Sequence, residues 1–144
     1  MDIEVRKIQP GDIEYVRQNP LEEAVKNYPE MFSPETSYAG LVDGKIIAVG
    51  GVVLFWDGVG EAWLILTKDI LDYKLTAYRH IREMVGLAIK HFKLRRLQIT
   101  VRTDFERAVK MAEKIGFVRE GLMIGYCPDG CDAYIYAMVK NEKI

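Results

Sequence analysis

Cysteine is scarce in this chain. Cys127 and Cys131 are the only two in 144 residues, and one pair cannot make the disulfide framework that holds small secreted domains together. An excess of either charge is missing too: 20 basic residues stand against 21 acidic ones, leaving −1. No bulk field therefore draws nucleic acid or an anionic membrane, and any anion binding has to be local. The longest uncharged apolar stretch, Ile46 to Trp56, is too short to span a bilayer, and the opening MDIEVRK lacks the basic-then-apolar pattern of a secretory signal. The expectation is a cytoplasmic protein with neither a membrane nor a nucleic-acid partner. No repeat, low-complexity tract or linker interrupts the chain, which predicts a single domain over 1–144.

What is present is the composition of a folded domain, 49% apolar and 28% charged. A chain this long buries roughly two thirds of its unfolded surface. IEVRKI alternates as a short strand, and Pro10-Gly11-Asp12 opens a helical stretch with Asp12 as N-cap. PLEEAVKNY, with Pro20 near its start and acids in the first turn, predicts a second helix. Three strands follow, separated by the two-residue hairpin signal Asp43-Gly44 and by a turn from Asp57 to Gly60. Ala77, Ile81, Val85, Ala88 and Phe92 recur at helical spacing, predicting a long helix from about Leu75 to Phe92.

Leu97, Ile99 and Val101 then alternate with polar residues as a strand with one buried face. Strand, helix and strand in that order imply a parallel pair joined by a right-handed crossover. A capping box, Thr103-x-x-Glu106, and Gly116 mark the ends of another helix. REGLMIGY and CDAYIYAMV close the chain as a hairpin around the turn PDG. The fold class is α/β (α+β): a mixed, mostly antiparallel central sheet of about seven strands with four helices, in the order β-α-α-β-β-β-α-β-α-β-β.

That order, with KIGF closing the fourth helix before a final hairpin, resembles the GNAT (Gcn5-related N-acetyltransferase) superfamily over the whole chain. The segment from Arg96 to Val139 is similar, more narrowly, to GNAT-like proteins of bacteriophages and prophages, internal virion proteins among them. In those relatives a Gly-Phe, a Glu-Gly and a Pro-Asp-Gly-x-Asp hairpin recur in this order, as Gly116-Phe117, Glu120-Gly121 and Pro128-Asp129-Gly130-Cys131-Asp132 do here. The resemblance implies transfer of an acetyl group from acetyl-CoA to an amine of a small molecule or protein. It also implies an alternative, a catalytically degenerate phage or prophage protein with a structural or interaction role in a virion. The apolar IIAVGGVVLFW fits either a fully buried strand or a homodimer sheet.

In the family the fourth strand holds the pantetheine arm by its main chain, which implies Leu64, Ile65 and Leu66 here. The pyrophosphate loop that follows is usually Gln/Arg-x-x-Gly-x-Gly/Ala, whose glycines let backbone amides close on phosphate. On this sequence the glycine places fall near Lys74 and Thr76 or Ala77, the Gln/Arg place falls near Leu71, and the motif is missing. What remains is a helix start with free amides, where Lys74, Thr76, Arg79 and Arg82 serve either as phosphate donors or as a solvated charged face.

For the base that accepts the ammonium proton the resemblance implies Glu61, at the start of the fourth strand. Trp63 shares its face and would dry the carboxylate's surroundings, a condition that suits a general base; a solvent-facing strand-end carboxylate is the other reading. The acid of the family is a tyrosine of the fourth helix, with an asparagine before it at the cofactor. Those places hold Ala112 and Phe105. Tyr126, Tyr134 and Tyr136 are the substitutes, with Tyr126 chosen, although strand tyrosines commonly serve packing.

CPDGC sets two thiols on either side of a tight turn, as a redox pair, metal ligands or ordinary free thiols. A zinc site would need two more ligands, and His80 and His91 lie eleven residues apart on the long helix, so no metal is expected. His91 instead complements the helix dipole. Lys90, Lys93, Arg95 and Arg96 read as a solvated connection, and Tyr28, Phe32, Tyr38 and Trp56 as an acceptor wall or a cap on the core.

Overall fold

A computed structural model describes residues 3–27 and 33–140. Its strands are β1 (Glu4–Lys7), β2 (Ser37–Val42), β3 (Lys45–Trp56), β4 (Val59–Leu66), β5 (Arg96–Arg102), β6 (Val118–Met123) and β7 (Ala133–Val139). Its α-helices are α1 (Asp12–Gln18), α2 (Lys74–His91) and α3 (Glu106–Ile115). The seven strands make one open sheet in the order β1-β2-β3-β4-β5-β7-β6. β4 and β5 run parallel, whereas β1/β2, β2/β3, β5/β7 and β6/β7 are antiparallel. Among the described residues no helix is long and apolar enough to cross a membrane.

The chain divides into two compact units. One comprises the described residues up to Val53 together with Trp63–Glu83, and the other Leu54–Ala62 with the described residues from Met84 onward. In the first, α1 buries Ile13 and Val16 against Ala39 and Leu41 of β2 and Val49 of β3, with Trp63 and Ile65 of β4 packed alongside. A second cluster joins Val42, Ile47, Ile70 and Ala77.

Asp12 does not cap α1. Gly11 does, in the left-handed region at φ 92°, and Asp12 is the first helical residue. Its carboxylate instead receives the Arg6 guanidinium at 2.7 and 3.1 Å and the Gln9 amide at 2.7 Å. Among the described residues the fourth expected helix does not form: in PLEEAVKNY, whose Tyr28 lies outside them, there is only a 3-10 turn over Glu23–Asn27. The cause lies far away in sequence. Pro20 bridges Thr67, and the Leu21 amide donates to Leu66 O at 2.9 Å, holding the chain extended where a helix would have to begin. The Asp43-Gly44 hairpin forms as its residue types dictate, with φ of 50° and 77° between Val42 and Lys45.

In the second unit β5 pairs with β7 along its whole length, from Arg96↔Val139 to Arg102↔Ala133, and β6 adds to the other side of β7. Leu97, Val101, Ala112, Phe117, Tyr136 and Ala137 are buried there. The capping box of α3 does not form: the N-cap is Phe105, and no side chain caps the helix. Thr103 is engaged elsewhere, its amide donating to Asp132 O at 3.0 Å and its hydroxyl lying 3.7 Å from Cys131 Sγ. Gly116, at φ 120°, ends α3 as expected.

The last hairpin has shorter strands than the sequence suggests, because residues 124–132 fold into a connection of their own. The Cys127 amide donates to Cys131 O at 2.9 Å, and the Gly130 amide to Cys127 O at 2.8 Å. Buried Arg102 ties this loop to β5 by gripping both Asp104 and Asp129 at 2.8–3.0 Å.

Candidate functional site

The parallel ladder between β4 and β5 consists of Val59↔Arg96, Gly60↔Leu97 and Glu61↔Gln98. Side chains alternate along a strand, so Arg96, Gln98 and Thr100 share the face on which Glu61 stands beside Gln98. Gln98 Nε2 donates to Glu61 Oε1 at 2.9 Å. Gln98 Oε1 accepts from Arg96 Nε at 3.0 Å, and the Arg96 fork closes on Glu120 at 2.6 and 3.0 Å. Glu61 is half-buried. It is thus a carboxylate with one oxygen engaged by a neutral donor, which leaves the other oxygen as a proton acceptor.

Tyr126 lies in the connection after β6, with half its surface exposed. Its phenol is pushed above the ordinary range by burial first, then by the charge of Glu61 and by Cys127, while a hydrogen-bonding Thr100 side chain pulls the other way. The fold therefore brings Glu61 and Tyr126 within electrostatic reach of each other, although sixty-five positions separate them. The phenol keeps its proton at neutral pH and can donate it.

The other two tyrosines are engaged by Glu113 and Arg119. Tyr136 is fully buried, donates to Glu113 Oε2 at 2.6 Å and accepts from Arg119, while Tyr134 carries the Arg119 guanidinium 3.6 Å from its ring centroid. Ala112 is buried, and the Phe105 ring lies under Arg102 at 5.0 Å.

In the first unit, Leu64 is exposed, Ile65 packs on the core and Leu66 O is taken by the Leu21 amide. The buried Thr67 hydroxyl reaches Ile46 O and Ile47 O, both at 3.2 Å. From there a 3-10 turn, Lys68–Tyr73, runs without a break into α2 at Lys74. The helix start expected near Lys74 is therefore preceded by another turn of helix. That turn's own amides at Lys68 and Ile70 bond to Asn19 O at 3.1 Å and Thr67 O at 3.2 Å. Lys74 and Arg79 are exposed, Thr76 is half-buried, Leu71 is exposed, and Arg82 lies over the Tyr78 ring at 5.7 Å.

Cys127 is buried and Cys131 half-buried; both are free thiols, and their sulfurs lie 3.9 and 3.4 Å from Asp132 O. Among the described residues no three His, Cys, Asp or Glu side chains gather as metal ligands. His91 stacks edge-on against Phe92 at 4.8 Å. Tyr38 is half-buried and Trp56 two-thirds exposed beside Phe55, while Tyr28 and Phe32 lie outside the described residues.

The sequence reading placed Arg96 in a solvated connection. It belongs to β5, and its salt bridge to Glu120 corrects that reading. Glu120 entered the sequence reading only as half of a Glu-Gly motif and Gln98 only among the polar residues of its strand; neither was given a place at the site. The available signal was the polar half of the β5 alternation, three hydrogen-bonding side chains in a row on one face of a central strand.

No family model and no curated protein sequence matches the chain. Solved structures do. A GNAT-family acetyltransferase from Bacillus anthracis superposes with a TM-score of 0.76 at 20% identity, covering 99% of this chain and 97% of its own. Ard1 from Thermoplasma volcanium gives 0.76 at 18% identity, covering 99% and 100%. The ribosomal-protein-S18-alanine N-acetyltransferase from Escherichia coli gives 0.69 at 16%, covering 99% and 97%. Over its described residues, this chain has the fold of the GNAT acetyltransferases.

Proposed function

We propose that the protein transfers an acetyl group from acetyl-CoA to the amine of an acceptor. The observation that carries this reading is the pairing of a Gln98-held carboxylate, Glu61, with a phenol, Tyr126, whose proton is held first by burial and then by that same carboxylate's charge. Acyl transfer from a thioester to an amine needs one group that takes the ammonium proton and another that returns a proton to the leaving thiolate. Glu61 takes the first through the oxygen that Gln98 leaves open, directly or through water. Tyr126 supplies the second. The nitrogen lone pair attacks the thioester carbonyl carbon, and collapse of the tetrahedral intermediate breaks the carbon–sulfur bond. Main-chain groups of Leu64 and Ile65 are assigned to the pantetheine arm, and Lys74, Thr76 and Arg79 to the phosphates.

The glycine-free junction favours a second reading. A chain that has lost the backbone cradle for pyrophosphate suits a structural or interaction role, of the kind the phage and prophage resemblance implies.

Calorimetric titration with acetyl-CoA and CoA separates the two. Binding at micromolar ligand is expected; no heat at millimolar ligand would sink the enzyme reading. With binding established, Glu61→Gln is expected to slow CoA release with an amine panel by about a hundredfold or more while leaving acetyl-CoA affinity unchanged. Equal turnover would remove Glu61 from the mechanism.

A further inference from the structure

We infer that Arg96 and Glu120 are positioning residues for Glu61, acting through Gln98 by fixing which end of its amide faces the carboxylate; this rests on Glu61 being the base.

The orientation of a glutamine amide is a chemical question. Arg96 Nε can only donate, so at 3.0 Å it requires the carbonyl oxygen of Gln98. The Glu61 carboxylate can only accept, so at 2.9 Å it requires the amide nitrogen. One orientation satisfies both partners, and a flip would break both bonds. The constraint then passes outward. A guanidinium is planar, so its fork onto Glu120 at 2.6 and 3.0 Å sets the plane in which Nε points at Gln98.

Glu120 owes its place to an irregularity in the ladder. Arg119 pairs with Tyr136 and Gly121 with Ile135, leaving Glu120 as the extra residue of a β-bulge. A bulge re-aims the side chain it carries. Here that side chain crosses β7 to meet Arg96, whose own ladder partner is Val139. An edge-strand carboxylate is thereby coupled to the carboxylate on β4 through two side chains of β5. Glu61 Oε1 stays engaged, and Oε2 is the oxygen left to take a proton.

The test uses the full-length chain and two independent readouts. In nitrogen-15 spectra the Gln98 side-chain amide of the wild type is expected to give two well-separated, slowly exchanging proton signals. Arg96→Met should collapse them toward free-glutamine values, while Arg96→Lys, which retains one donor, should restore part of the separation. Glu120→Gln, on a half-exposed side chain, guards against loss of folding and should give an intermediate collapse.

In acetyl transfer, Arg96→Met is expected to lower kcat about tenfold or more with KM for acetyl-CoA within twofold, since a small misplacement of a catalytic group is costly. Free-glutamine signals in the wild type, or an Arg96→Met protein with unchanged Gln98 signals and unchanged kcat, would overturn the inference. A wild type without transfer activity overturns the base assignment itself, and the spectra then still decide whether Arg96 orients the amide.

Discussion

Replacing Tyr136 by phenylalanine removes one oxygen from a ring with no exposed surface. That oxygen donates to Glu113 Oε2 at 2.6 Å and accepts from Arg119 Nε at 3.2 Å and Nη2 at 2.9 Å. Three contacts to charged groups would suggest a large loss, but the partners decide the size. The Glu113 and Arg119 side chains are 52% and 42% exposed and 2.9 Å from each other, so both keep a partner and recruit water. No orphaned charge is left behind. The cost is then the low end of the range for a hydrogen bond to a charged group, about 1.5 kcal/mol, well below the roughly 3–5 kcal/mol of truncating an aromatic ring to alanine. In a chain of this size that lowers Tm by about 4–6 °C.

Urea unfolding followed by circular dichroism should show a lower midpoint with an unchanged slope. The Tyr136 hydroxyl is the foremost cause, ahead of Arg119, of the Glu113 carboxyl lying below its ordinary range. A lowered carboxyl stabilises above its unfolded pKa of 4.5, and that stabilisation fades as pH falls through the folded value. The difference between wild type and Tyr136→Phe should therefore narrow in acid. A cost under about 0.5 kcal/mol would mean that water serves the partners as well as the hydroxyl does. One above about 3 kcal/mol would mean that Glu113 or Arg119 is left uncompensated, and either result refutes the reasoning.

Two glycines should respond in opposite directions to alanine. At Gly51 a Cβ would collide with the Thr36 carbonyl and stand 2.9 Å from Ser37 Cα, so thermal melting should show a loss of about 1–3 kcal/mol. At Gly86, inside α2, nothing lies within 4 Å, and alanine should gain about 0.5–1 kcal/mol. Asp129 is held down to about 2, first by Arg102 and then by the Cys131 amide. The stability difference between wild type and Asp129→Asn should be present above the ordinary carboxyl value of 3.8 and fade as pH falls through about 2; a difference undiminished between neutral pH and pH 2 would contradict this.

Features that local chemistry determines were legible in the sequence. Asp43-Gly44 announces its turn because two successive positive φ angles admit few other residue pairs, and Gly116 stops α3 for the same kind of reason. Features decided by distant partners were not. PLEEAVKNY has the letters of a helix, yet its start is spent on a bridge to Thr67, forty-seven positions on from Pro20. Thr103-x-x-Glu106 has the letters of a capping box, yet Thr103 is drawn to the Asp132 and Cys131 loop.

The site divides in the same way. Glu61 was reachable from its place at the head of a strand and from the family resemblance. Gln98 was not, because its meeting with Glu61 depends on the register of two parallel strands. Glu120 was more remote still, since its meeting with Arg96 depends on a bulge that slips the count by one.

In the proposed cofactor reading, the stretch from Thr67 to Arg79 would move a recognition problem from the main chain to side chains. A glycine cradle binds with atoms that every residue possesses, so it tolerates substitution wherever the backbone path survives. An anion arriving at this junction would meet ammonium and guanidinium groups on long flexible stems. Its grip would weaken steeply with ionic strength, and each contact could be deleted by a single codon change. Such a surface would be quick to lose under drift and as quick to retune toward another anion.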